Sequence, residues 1–229
     1  MTRWNTRLRI LLEGIGGAII VGVTVLLAPL LRRWYSRWGT ENGEERQDIP
    51  GDALVPRPKS QITLAITIQA PPEQVWPWFV QLGCQRGGWY SYDLLDNGGV
   101  PSAERIIPEH QTLNIGDTVK AMPQGDFGFP VAILQPNRQL TLAGTLNTRT
   151  GQPANPNDPQ LSEYFCGNQT FVLNPVGPRA TRLIFRMRID WNATPLNNLA
   201  YKGMVEPISF VMGRKMLRNL KRRAEARNG

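Results

Sequence analysis

The chain of 229 residues carries a single histidine, His110, and two cysteines, Cys84 and Cys166. One histidine cannot build a His-rich metal centre or a His–His relay. The cysteines stand far apart and in no ligand-type spacing, so neither a metal nor a cofactor is expected. No local partner marks either thiol as a nucleophile. Two buried thiols are one reading of the pair; one disulfide in an oxidising compartment is the other. No glycine cluster matches a phosphate loop or a dinucleotide fingerprint, and Gly87-Gly88 reads as a turn. Internal repeats are lacking too.

Acidic residues are scarce only at the two ends. The formal charge is +8, from 26 Lys/Arg against 18 Asp/Glu. Residues 1–40 hold six Arg and one Glu, net +5, and residues 202–229 hold eight Lys/Arg and two Glu, net +6. The remaining 12 basic and 15 acidic residues leave 41–201 at net −3. A mildly acidic body with basic ends argues against a nucleic-acid groove and for an anionic membrane surface.

Long apolar runs are also absent, with one exception. Residues 14–31 include no charged side chain, and Ile, Val and Leu dominate them. A helix crosses bilayer hydrocarbon with roughly 17–25 apolar residues. Arg3, Arg7 and Arg9 precede the run, and Arg32, Arg33 and Arg37 follow it. Trp4 at one end and Trp34, Tyr35 and Trp38 at the other suit the membrane–water boundary. The run ends without a small-x-small cleavage site, so an uncleaved anchor over residues 1–38 is expected rather than a signal peptide. The flanking arginines are balanced three against three. A cytoplasmic domain is expected because the basic C-terminal segment then meets the anionic leaflet.

Residues 39–60 turn polar and rich in proline and glycine, the composition of a flexible linker. The domain proper runs over 61–229, long enough for one core. Ile62, Leu64, Ile66 and Ile68 alternate with polar or small residues, which predicts a strand with one apolar face. Ala70-Pro71-Pro72-Glu73 then opens a helix whose apolar residues are Val75, Trp76, Phe79, Val80 and Leu82. An aromatic loop follows, with a short helix expected over 102–107. Strands are expected at 118–122, 131–134, 140–143 and 163–173, with an exposed loop at 147–160. Leu183, Phe185, Met187, Ile189 and Trp191 alternate with Arg182, Ile184, Arg186, Arg188 and Asp190, the clearest strand pattern in the chain. Residues 197–227 read as a final helix, bent near Pro207. Its apolar side carries Val205, Ile208, Val211, Met212, Met216 and Leu220.

The stretch Ile66-Thr67-Ile68-Gln69-Ala70-Pro71-Pro72-Glu73-Gln74-Val75-Trp76 resembles the opening strand–helix junction of the SRPBCC superfamily. These are START-like, birch-pollen-allergen-like and polyketide-cyclase-like proteins. Gly88-Trp89-Tyr90-Ser91-Tyr92-Asp93, and Glu206-Pro207 continuing to Phe210 and Leu217, resemble a bacterial, membrane-anchored subgroup of it. The resemblance covers roughly residues 60–225. It implies an α+β helix-grip fold, a curved antiparallel sheet around a long C-terminal helix with an apolar cavity between them. It also implies lipid, sterol, polyketide or other hydrophobic ligands, with cyclase or dehydratase activity in some members.

Three functions follow. The first is a membrane-anchored binding module for a hydrophobic small molecule or lipid. The second is a metal-free cyclase or dehydratase, with Tyr90, Asp93 and Glu109 as candidate proton donors or acceptors. The third is an interaction domain whose own side chains fill the cavity. Trp89, Tyr90, Tyr92 and Asp93 read equally as a pocket wall with a polar handle or as core packing. Phe185, Met187, Ile208, Met212 and Met216 are expected to line the cavity, with Met204 and Phe210 beside them. Arg182, Arg186 and Arg188 read as an anion site or a solvated sheet face. Arg214, Arg218, Lys221 and Arg222, with Arg223, are expected at the membrane surface. Glu109-His110 is an acid/base pair at a pocket mouth or a solvated loop pair.

Overall fold

The computed structural model describes residues 3–124, 127–156, 158 and 160–226, with side chains from residue 6 onward. The side chain of Trp4 and all of Arg227 lie outside that description. Two N-terminal helices, α1 (Arg3–Leu26) and α2 (Ala28–Tyr35), lead into strand β1 (Ser60–Ile68) and helix α3 (Pro72–Val80). A one-turn helix α4 (Asp93–Asp96) precedes strands β2 (Thr118–Lys120), β3 (Gly128–Gln135), β4 (Gln139–Asn147), β5 (Tyr164–Pro175) and β6 (Thr181–Trp191). Helix α5 (Pro195–Ala200) passes through a π turn at Tyr201–Val205 into the long helix α6 (Glu206–Glu225). The strands form one antiparallel sheet in the order β1-β6-β5-β4-β3-β2. The architecture is α+β, with α6 packed on the sheet, most heavily at β1.

The alternation in β6 decides which way the sheet faces. Leu183, Phe185, Met187, Ile189 and Trp191 are buried on the inner face, where Phe185 stacks on Phe171 of β5 at 5.0 Å. Phe171 in turn meets Phe79 of α3 at 5.0 Å. From α6 come Phe210, Val211, Met216, Leu217 and Leu220, all buried. The helix is irregular just upstream of Pro207, at the π turn; Pro207 itself sits in the first turn of α6, where its missing N–H costs nothing.

Residues 39–59 depart from the flexible linker expected of them. They lie as a strap across the outer face of the sheet. Glu44 pairs with Arg182 at 2.7 Å, and Asp52 pairs with Arg186 at 2.6 Å and Arg188 at 3.2 Å. Arg186 also donates to the carbonyls of Gln47 and Glu44, and it is almost fully buried. Asn168 and Gln139 donate to the carbonyls of Gly51 and Pro50. The three arginines of β6 are therefore neither a solvated face nor an open anion site: the strap's carboxylates and carbonyls occupy them. An antiparallel sheet often leaves one face to water; here the strap covers the outer face over β1, β6, β5 and the start of β4.

The helix expected over 102–107 does not form. Tyr90 donates its N–H to Ser102 Oγ, which itself donates to Asp93, and the Ala103 N–H donates to the Gly87 carbonyl. Those bonds hold the segment as an extended brace for the aromatic loop. The expected loop at 147–160 is turn-rich and mostly exposed over its described residues.

The N-terminal run forms a helix whose segment Thr6–Leu26 has a mean hydropathy of 1.9, long and apolar enough to cross a membrane. One side of it packs on the domain. Ile10, Gly14, Gly17, Thr24, Ala28 and Tyr35 are buried at steps of three, four or seven residues, a single helical stripe. Gly17 is required by close approach: a Cβ there would stand 2.6 Å from the Tyr92 ring. Tyr35, expected at a membrane boundary, is instead in the core, stacked on Phe210 at 5.3 Å, whereas Trp34 is half exposed.

Candidate functional site

The aromatic loop is positioned by a residue in a rare backbone state. Tyr90 has φ of 57°, the left-handed region that bulky side chains avoid. Four contacts hold it there. Gln81 Nε2 donates to its hydroxyl at 2.8 Å, and Asn219 Nδ2 of α6 donates to its carbonyl at 2.8 Å. Its N–H reaches Ser102, and the Arg223 guanidinium lies 4.9 Å from its ring. Burial pushes the Tyr90 phenol well above its ordinary range, so it is a neutral hydrogen-bonding group at neutral pH. Strain of this kind persists only where neighbours over-determine it. The result is that Trp89, just before Tyr90, meets a first cavity, Tyr90 meets a second, and Ser91, just after it, lines both.

That first cavity lies between the sheet and α6, has a volume of about 210 Å³, and is open on one side. Its walls are Trp89, Phe129, Phe185, Met187, Ile208, Met212 and Met216, with Ser91, Asp96, Gln169 and Ser209 as polar groups. Ser91 Oγ donates to the Met212 carbonyl at 3.1 Å, tying the loop to α6. Asp96 is the titratable residue of the wall. Burial, and next the charge of Asp93, push its carboxyl up to about 7. Its Oδ1 is shut off from solvent with no hydrogen-bond partner. A carboxyl so placed is half protonated near neutral pH and able to give or take a proton.

A second cavity, about 540 Å³ and polar, lies between α1, α6 and the loop. Tyr90 and Asp93 line it, together with Arg9, Glu13, Glu104, Lys215 and Arg222. Its charges are largely paired. Lys215 meets Glu13, and Glu104 takes both Arg222 at 3.0 Å and Arg223 at 2.9 Å.

The residues singled out from the sequence thus divide. Trp89, Phe185, Met187, Ile208, Met212 and Met216 share the first cavity. Tyr90 and Asp93 belong to the second. Tyr92 lines neither cavity; it packs against Gly17 of α1 with the Lys215 ammonium 5.4 Å from its ring. Met204 is exposed near α1, and Phe210 is in the core. Glu109 is exposed on a one-turn 3-10 helix, Pro108–His110, and lines neither cavity. Asp96 was missed. Its only sequence signal was a position three residues after Asp93 on a helical turn, which no periodicity distinguishes from surface.

The basic residues of α6 are engaged by the domain itself. Arg214 and Arg218 lie 5.2 and 5.5 Å from the Trp38 ring. Lys221 donates to the Thr67 carbonyl and Glu225, and Arg222 pairs with Glu104. Both cysteines are free: Cys84 is buried, donating to the Asp96 carbonyl at 3.2 Å, and Cys166 is half-buried on β5. Among the described residues, no group of three His, Cys, Asp or Glu side chains is arranged to hold a metal ion.

No family model matches the chain, and no curated protein matches it. Solved structures do. A protein from Mesorhizobium loti aligns with a TM-score of 0.41 at 17% identity, over 73% of this chain and 98% of that one. A norcoclaurine synthase point mutant from Thalictrum flavum, in complex with a transition-state analogue, aligns at 0.40 and 11% identity, over 74% and 96%. The Zhui aromatase/cyclase from Streptomyces sp. R1128 aligns at 0.35 and 10% identity, over 74% and 96%.

Proposed function

We propose that this domain binds a small, largely apolar molecule in the cavity between the sheet and α6, and that its N-terminal helix keeps it at a membrane. The observation that supports this is the cavity itself: about 210 Å³, walled by Trp89, Phe185, Met187 and Met212, with one titratable group, Asp96. A dry apolar cavity of about 150 Å³ holds a benzene ring. Pockets for drug-sized ligands run to roughly 300–1,000 Å³. The space therefore suits one ring with a polar substituent, or the leading portion of a longer molecule that leaves by the open side. Unfilled volume of this size speaks against a cavity closed by its own side chains.

Asp96 favours a second function on the same cavity, metal-free proton transfer of the cyclase or dehydratase kind. The protonated carboxyl would give its proton to a departing hydroxyl, and the carboxylate would take one from an acidic C–H. Tyr90, Asp93 and Glu109, the earlier candidates, lie outside this cavity's wall.

Native mass spectrometry of the purified full chain tests binding by revealing a co-purified small molecule. 4-Nitrophenol, one ring with polar substituents, supplies a defined probe, read by quenching of tryptophan fluorescence. Met212→Trp should fill the cavity and weaken nitrophenol binding at least tenfold. Unchanged binding by this variant would remove the cavity from consideration. Asp96→Asn then separates the two functions: binding kept with turnover lost supports catalysis, and binding weakened alone supports a carrier or sensor.

A further inference from the structure

The N-terminal helix is not free to leave the domain, and this bears on how it meets a bilayer. At its far end Glu206 of α6 is fully buried and receives three groups: Arg32 and Tyr35 of α2, and Ser60 of β1. Midway, Gly14 and Gly17 seat against Leu94 and Tyr92. Beside Gly14, Glu13 pairs with Lys215. The strap that follows α2 is pinned to the sheet, so it supplies no slack.

Were this docked helix to cross the membrane, Glu13, Lys215 and the charged cavity of Arg9, Asp93 and Glu104 would sit at hydrocarbon depth. Charged groups there are expensive. The exposed surface gives another solution. The outward side of α1 and α2 is apolar along its length, with Leu12 61%, Ile19 62%, Leu26 80% and Leu30 81% exposed. It does not end at the helix edge. Leu94 of α4 borders it at Gly14, and Leu199 and Met204 border it near Val25 to Pro29; all three are exposed. Exposed arginines rim both ends, Arg7 and Arg9 at one, Arg33 and Arg37 at the other, with half-exposed Trp34. An apolar face rimmed by cations and an interfacial tryptophan is complementary to anionic lipid, whose headgroups lie over its acyl chains.

We propose that α1 and α2, with the apolar edges of α4 and α5, form one monotopic docking face that lies in a single leaflet of an anionic bilayer, without crossing it. This rests on the membrane association proposed above and replaces a domain swinging from a spanning anchor with one seated directly on the lipid.

The two arrangements differ in where the chain ends lie. The full chain is tagged at both termini and expressed, and sealed membrane vesicles of one orientation are treated with protease. A monotopic face leaves both tags on the same side, so both are cleaved or both survive. One tag cleaved and one protected would overturn the proposal while leaving membrane association intact. In a second arm, Leu199→Glu and Met204→Glu are combined. These side chains are exposed, so the fold should hold, as circular dichroism will check. At least a tenfold loss in flotation with 3:1 phosphatidylcholine:phosphatidylglycerol vesicles is expected. Undiminished flotation would count against the proposal, because a spanning anchor does not use α5. Wild-type protein recovered in solution as a dimer through this face would overturn both the docking face and membrane association.

Discussion

Arg32 and Glu206 are joined by a two-pronged ion pair, Nε to Oε1 at 2.8 Å and Nη2 to Oε2 at 3.1 Å, across 174 residues of sequence. The Tyr35 hydroxyl donates to the same carboxylate at 3.0 Å, and Ser60 donates to it as well. Burial, then the negative charge of Glu206, raises the Tyr35 phenol above its ordinary range. The cluster fixes α2, β1 and the start of α6 to one another.

Glu206→Gln should therefore destabilise the whole chain. Breaking a buried pair costs about 3–5 kcal/mol. Arg32 is half exposed and can regain water, so about 2 kcal/mol is expected. Denaturant unfolding in detergent measures it, and a change under 0.5 kcal/mol would show that the cluster is dispensable.

Asp96 should make stability depend on pH in the unusual direction. Its carboxyl titrates near 7 in the fold, well above the ordinary 3.8. Between those values the native state holds a proton that the unfolded chain has lost, so its contribution falls as pH rises from about 4 to about 8. Asp96→Asn cannot lose that proton. The variant should gain on the wild type by about 2–4 kcal/mol at pH 8 relative to pH 4.5. Equal unfolding differences at the two pH values would contradict a raised Asp96.

The strap over the sheet should behave as part of the fold. Asp52→Asn leaves Arg186 buried without its carboxylate, though bonds to Thr63, Gln47 and Glu44 remain. A loss of about 2–3 kcal/mol is expected. Limited proteolysis offers a separate check: wild-type protein should resist cutting within residues 39–59, and the variant should be cut there first. Rapid cleavage of the wild type would restore the flexible linker.

The two thiols should differ sharply. Burial, then the charge of Asp96, raises the Cys84 thiol above its usual range, and only the thiolate is nucleophilic. Iodoacetamide at pH 8 should modify half-buried Cys166 at least tenfold faster than Cys84, as peptide mapping will show. Faster reaction at Cys84 would mean that the loop opens readily.

Local pattern alone determined much of this molecule. Alternation marked β1 and β6 and their inner faces, because a strand's side chains point to opposite sides with period two. Helical spacing marked α6, and six cavity residues from Trp89 to Met216 were named from composition and position. The run at 14–31 announced a helix of membrane-crossing length. What remained hidden depends on partners distant in sequence. The charged side of β6 reads as solvated until the strap brings Glu44 and Asp52 onto it. The polar, proline-rich segment at 39–59 reads as a linker because its bonds run to Arg182, Arg186 and Asn168, more than a hundred residues away. The glycines of α1 look like ordinary members of an apolar run until Leu94 and Tyr92 press against them. Asp96 acquires its unusual proton affinity only from burial beside Asp93. Burial and charge pairing are set by the packing of elements against one another, so tertiary structure alone decided the cavity's acid and the seat of the N-terminal helix.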